Sequence, residues 1–194
     1  MLPRPNRLAA CLLLAAASGL PVPSMSAPAP RPVKLHYGLN KIDLTGQGDP
    51  AVAVLSLREN FNAHSFTVLT MYLTPPPGAR ADAPWHVVPL FTERKGQQEK
   101  EDLTLTTSGG ADCELHGYRL LAAPGKPMRI IVADREFGDS FADTGPVRFD
   151  FYELKNNDEQ APGWPLWYFE FKKSVQARHK HCDVGEAFKT ELGY

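Results

Sequence analysis

From Lys34 onward, apolar and polar residues alternate in short runs with hardly any helical period. A period of two sends successive side chains to opposite faces, so each run reads as a strand with one face buried and one wet. Nine runs rich in β-branched and aromatic residues fit this reading: 33–42, 51–57, 66–73, 85–91, 103–106, 114–121, 128–133, 147–154 and 167–175. The alternation is plainest in Arg148-Phe149-Asp150-Phe151-Tyr152-Glu153-Leu154 and in Tyr168-Phe169-Glu170-Phe171-Lys172. Turn residues punctuate the runs at Pro75-Pro76-Pro77-Gly78, Ser108-Gly109-Gly110, Pro124-Gly125 and Pro162-Gly163. Parallel pairs need crossover helices, and the pattern offers none between the runs. The predicted fold is therefore all-β: an antiparallel β-sandwich or open barrel. One helix is predicted, from 184 to about 192, because Asp183 and Glu186 stand as a capping box before it.

The N-terminus has a different pattern. Arg4 and Arg7 precede an apolar run over 8–20, and Ser24-Met25-Ser26 offers the small-x-small pattern a signal peptidase accepts. Residues 1–26 are expected to be an export signal, placing the protein in the periplasm. Cys11 precedes most of the apolar run instead of following it, which disfavours a lipid anchor. Removing the signal leaves 168 of 194 residues, the size of a single β-sandwich-like domain over 27–194. The signal carries two of the 21 basic residues and none of the 22 acidic ones, so the mature chain has a net charge of −3. That balance argues against nucleic acid, whose binding depends on clustered Lys and Arg. No apolar stretch after Leu20 is long enough to span a bilayer.

Export also decides the cysteine chemistry. Two cysteines remain, Cys113 and Cys182, and an oxidising compartment favours a disulfide between them. Neither a Cys-x-x-Cys redox pair nor a zinc site of that spacing is present.

Candidate chemistry is thin. Asp43-Leu44-Thr45-Gly46-Gln47-Gly48-Asp49 has the shape of a calcium loop, but only Asp43 and Asp49 bear charge, so it reads as a turn with at most weak metal affinity. His179-Lys180-His181-Cys182-Asp183 resembles the His-x-His-x-Asp start of a zinc hydrolase. Here the Asp is assigned to a helix cap, and only 11 residues remain to supply distant ligands. The stretch is expected to be a solvated basic loop beside the disulfide. Neither Ser-x-x-Lys nor Gly-x-Ser-x-Gly occurs. The best ligand-binding candidates are Arg58, Asn60, Asn62 and His64, in the segment joining two strong strands, with Trp164 between Gly163 and Pro165 as a groove or dimer residue. No catalytic residue and no cofactor are predicted.

Four stretches carry a resemblance: 39–48, Arg58-Glu59-Asn60-Phe61-Asn62-Ala63-His64-Ser65, Ser108-Gly109-Gly110-Ala111-Asp112-Cys113, and Cys182-Asp183-Val184 before Glu186-Ala187-Phe188. Together they resemble the exported carbapenem self-resistance (intrinsic resistance) proteins of the CarG-like type. The resemblance implies protection by a route unlike the β-lactamases, through binding the β-lactam or shielding its targets. It assigns no active-site residue. The alternatives are an envelope protein that binds another protein or a second copy of itself, and a metal-assisted hydrolase using the His179 and His181 region or the Asp43 loop.

Overall fold

The computed structural model describes residues 28–92 and 100–194, so residues 1–26, expected to be an export signal, lie outside the described residues. Among the described residues thirteen strands and one helix follow in order. The first seven strands are β1 (Arg31–Pro32), β2 (Gly38–Ile42), β3 (Ala51–Arg58), β4 (Phe66–Leu73), β5 (His86–Val87), β6 (Leu90–Thr92) and β7 (Lys100–Asp102). Then come β8 (Leu105–Thr106), β9 (Ser108–Gly109), β10 (Glu114–Ala123), β11 (Lys126–Arg135), β12 (Gly145–Asn156), β13 (Trp167–His181) and α1 (Val184–Leu192). Among the described residues they form two sheets and no closed barrel. The larger runs β1-β10-β11-β12-β13-β6-β7 with β9 also on β10, and the smaller runs β2-β3-β4-β5 with β8 also on β4.

The sheets pack face to face because alternate residues on each are apolar. Ala51, Ala53, Leu69, Met71 and Leu73 of the small sheet meet Leu120, Met128, Ile130, Tyr152, Leu154 and Phe169 of the large one. The opposite face of the large sheet is also apolar. Leu121, Ile131, Ala133, Val147 and Phe149 lie beneath Val184, Ala187 and Phe188 of α1. Even positions of β11 and β12 thus face the sandwich and odd positions face the helix. Full burial of a side chain such as Phe149 or Phe188 is worth about 1.5–3 kcal/mol, so the helix is held mainly by this second apolar layer.

Two departures from the sequence expectation change the topology or the candidate residues. The run over 85–91 splits into β5 and β6, which belong to different sheets, and β6 lies parallel to β13 with Phe169 opposite Leu90. No crossover helix is needed, because the chain between β6 and β13 runs through other strands of both sheets. The second departure is at the predicted basic loop. Strand β13 continues to His181, so His179 and His181 lie on a strand, and His181 is buried. Long pairing with β12 extends the element through polar residues that propensity alone does not mark as strand.

The helix and its corner are fixed as the capping signal requires. Asp183 Oδ1 accepts from Glu186 N at 3.1 Å, while its Oδ2 accepts from Glu114 N at 2.9 Å. The cap therefore joins α1 to β10, and the reciprocal bond from the Glu186 side chain is absent among the described residues. At the other end Gly193 adopts φ 76° and its N–H reaches the Lys189 and Phe188 carbonyls, a left-handed stop that glycine tolerates best. Cys113 and Cys182 form the disulfide, with Cα atoms 5.7 Å apart and 69 positions of chain between them.

Two outcomes follow for this corner. A link closing about 70 residues stabilises by about 4 kcal/mol in the chain-entropy view. Cys113→Ser should accordingly lower the melting temperature in oxidising buffer, and an unchanged midpoint would remove the stapling role. Burial, reinforced by the nearby Asp183 charge, raises the Glu114 pKa. An acid with a raised folded pKa binds extra protons in the folded state, so stability falls as pH rises from the ordinary carboxylate range through the folded pKa. Glu114→Gln should increase stability at pH 7 and lose that advantage below about pH 4 in urea titrations.

Candidate functional site

Between the two sheets, beyond the end of the apolar core, lies a cleft of about 820 Å³. Its apolar floor is formed by Leu90, Leu105, Val132 and Phe171. Its polar wall is a connected chain. His116 Nδ1 meets Asp134 Oδ1 at 2.5 Å, Arg148 Nη2 donates to Asp134 Oδ2 at 3.1 Å, and Arg148 Nε donates to both oxygens of Asp150 at 3.0 and 3.1 Å. Ser174 Oγ donates to Asp150 from the next strand at 2.5 Å.

The geometry follows from strand register. His116 lies opposite Asp134, Asp134 opposite Arg148, and Asp150 opposite Ser174, so four neighbouring strands place one row of polar groups on the sandwich-facing side. Lys100 and Asp102, neighbours on one face of β7, pair at 2.7 Å along the cleft lining, and Thr104 and Thr106 add hydroxyls. Cations and carboxylates nearly balance. The Tyr152 hydroxyl is driven well above the usual phenol range by burial, with the Asp150 and Asp134 charges adding to the effect, so it remains a protonated donor.

The arrangement can bind an anion or a polar small molecule. Arg148 uses Nε and Nη2 on its two aspartates, and its Nη1 carries no hydrogen bond among the described residues. Ser174 and His116 sit at opposite ends of the Asp150-Arg148-Asp134 chain, so the hydroxyl faces a carboxylate and not an imidazole base.

None of the sequence-predicted ligand residues lines this cleft. Arg58 lies over the Phe66 ring at 5.6 Å. Asn60 donates to the His64 carbonyl, Asn62 accepts from His64 N, and His64 Nδ1 contacts the Gly109 carbonyl at 2.8 Å while its ring packs on Phe141. These three residues are together, as the sequence suggested, but their polar atoms organise a turn and dock it on the disulfide corner. Trp164 is separate, stacked against Phe91 at 4.8 Å and Tyr168 at 5.1 Å. The residues that were missed, His116, Asp134, Arg148, Asp150 and Ser174, sit on strand faces that alternation alone assigns to solvent. The available signal was Asp150, an acid flanked by Phe149 and Phe151 with Arg148 two positions before it, and it is only 8% exposed in the fold.

The Asp43 loop is a closed turn. Asp43 accepts from Gly46 N at 2.7 Å and Gly48 N at 3.2 Å, and Asp49 accepts from Thr45 Oγ1 at 2.7 Å. Gly46, at φ 75°, passes so close to Lys126 that a Cβ would meet its carbonyl oxygen at 2.4 Å. Among the described residues, three potential ligands converge elsewhere, at His179, His181 and Glu191. Glu191 comes from the last turn of α1, so the short C-terminal tail does supply a third ligand-type side chain. Hydrogen bonds from His179, then from His181 and Arg178, hold its carboxyl far below the usual range despite burial.

These features define an all-β, two-layer sandwich with one C-terminal helix and a charged cleft between its layers. Within that class the chain belongs to the CarG-like family, described as carbapenem resistance protein CarG-like, whose pattern matches residues 35–190. Among solved structures, the crystal structure of CarG superposes with a TM-score of 0.65 at 23% identity, covering 82% of this chain and 94% of that one. No curated protein matches. The protein is thus related to carbapenem resistance, and no helix among the described residues is long and apolar enough to cross a membrane.

The ion chain gives a direct prediction. Arg148→Met leaves Asp134 and Asp150 without their shared cation and should cost about 1–3 kcal/mol. Urea unfolding measures it, with Arg148→Lys recovering part of the loss.

Proposed function

We propose that this protein is a periplasmic, non-enzymatic protective module that binds a carbapenem in the cleft between its sheets. The observation that supports the reading best is that cleft, in a chain of a carbapenem-resistance family. Its volume of about 820 Å³ lies in the range of small-molecule sites. A carbapenem is a compact bicyclic β-lactam with an ionised carboxylate, and Arg148 offers that group a partly exposed guanidinium edge beside an apolar floor. Binding without turnover fits the separation of Ser174 from His116. Export is supported by the charged-then-apolar pattern of residues 1–26 and by the disulfide.

A second reading, an envelope protein that docks another protein, has one observation in its favour. The Phe91, Trp164 and Tyr168 rings form an aromatic cluster in which Trp164 is 38% exposed and Leu166 beside it 46%.

Calorimetry of the mature protein with a carbapenem, run beside an absorbance assay for ring opening, tests the proposal. Saturable heat with an intact ring is expected, and Arg148→Met should weaken affinity at least ~10-fold. Ring opening by the protein would replace the proposal with a hydrolase. Absence of heat would leave the docking reading.

A further inference from the structure

We propose that His179, His181 and Glu191 form a binding site for a divalent transition-metal ion of the zinc class, which clamps the end of β13 to the last turn of α1. His179 and His181 occupy alternate positions on β13, so both imidazoles leave the same face of the strand. Glu191 arrives on that face from α1. His179 Nδ1 lies 2.8 Å and His181 Nε2 3.2 Å from one and the same oxygen, Glu191 Oε1.

The three donor atoms lie within 4.8 Å of one another. Ligands about 2.0–2.1 Å from a tetrahedral zinc sit about 3.3 Å apart, so the widest donor pair must close by up to about 1.5 Å while the 2.8 Å contact between His179 and Glu191 opens by about 0.5 Å. His179 can supply it by ring rotation, because its side chain is 75% exposed. The carboxylate is already aimed. Arg178 donates to Glu191 Oε2 through both its backbone N and Nε, and the His179 backbone N donates to Oε1. Outer donors of this kind fix the orientation of a ligating carboxylate. The Arg178 charge opposes a cation, but its side chain is as exposed as that of His179 and solvent screens it.

The donor set selects the ion. Two imidazoles and one carboxylate suit zinc, nickel, copper or cobalt, whereas magnesium and calcium favour all-oxygen shells. The Glu191 and His181 side chains are nearly buried, at 4% and 8%, so the ion enters beside His179 and water completes its coordination on that side. This cluster does not line the charged cleft between the sheets. Its role is therefore a clamp on the helix, independent of carbapenem binding.

The test uses mature protein free of any histidine tag and stripped with chelator, titrated with zinc alone by calorimetry and with cobalt by visible absorption. One equivalent of zinc is expected to bind and to raise the melting temperature, and cobalt should develop the absorption of a low-symmetry site. His179→Ala, at an exposed position that leaves the fold intact, should weaken zinc at least ~10-fold and abolish the melting shift. Glu191→Gln should do the same, whereas His86→Ala, on a separate exposed histidine, should change neither. Absence of stoichiometric binding, or equal affinity in wild type and His179→Ala, would overturn the site.

Discussion

The central strands of the large sheet must bury both of their faces at once, and the rest of the molecule follows from that constraint. On β11 and β12 even positions carry Met128, Ile130, Tyr152 and Leu154 toward the small sheet, while odd positions carry Ile131, Ala133, Val147 and Phe149 toward the helix. A sheet with two apolar faces cannot remain a single layer in water. The small sheet covers one face and α1 the other, and each cover has its own fastening. The small sheet is tied to β11 through the Asp43 turn, where Met128 N donates to the Leu44 carbonyl. The helix is tied by the disulfide, by the Asp183 cap that reaches Glu114, and by the Glu191 cluster at its far end.

The same period of two builds the cleft. Where the apolar residues on the even face of β11 and β12 give way to Asp134, Arg148 and Asp150, the two sheets no longer make a dry interface. Partly desolvated charges are tolerated only when paired, and the His116-Asp134-Arg148-Asp150-Ser174 chain pairs each of them across strands. A charged row inside an otherwise apolar sandwich weakens the interlayer contact. Its presence there is what makes a binding role for the space between the sheets physically reasonable.

The corner around Cys113 shows how local signals acquire a shared purpose. His64, Gly109, Phe141 and the disulfide meet where the long polar segment after β3 folds back. Gly110 lies close against the Phe141 ring, and a Cβ there would come within 3.0 Å of it. Residues that look like a binding loop in isolation also supply packing that brings the β9 turn, the loop before β12 and the helix cap into one unit.

Several features were determined by the sequence alone, because they rest on interactions between near neighbours. The alternation of Phe149 and Phe151 with polar neighbours marks a strand, and Asp183 with Glu186 marks the helix start, since caps and turns are local hydrogen-bond problems. The disulfide was legible too, because reading residues 1–26 as an export signal sets Cys11 aside and leaves Cys113 and Cys182 as the pair. The charged cleft was not, because Arg148 and Asp150 read as a wet face until the second sheet is laid over them. Nor was the third member of the His179 cluster: Glu191 lies ten residues beyond His181 and comes beside it only because α1 turns back along β13. Which face of a strand meets water, and which distant side chains meet each other, are decided by how layers stack, and that information is in the tertiary packing and not in any local stretch of the chain.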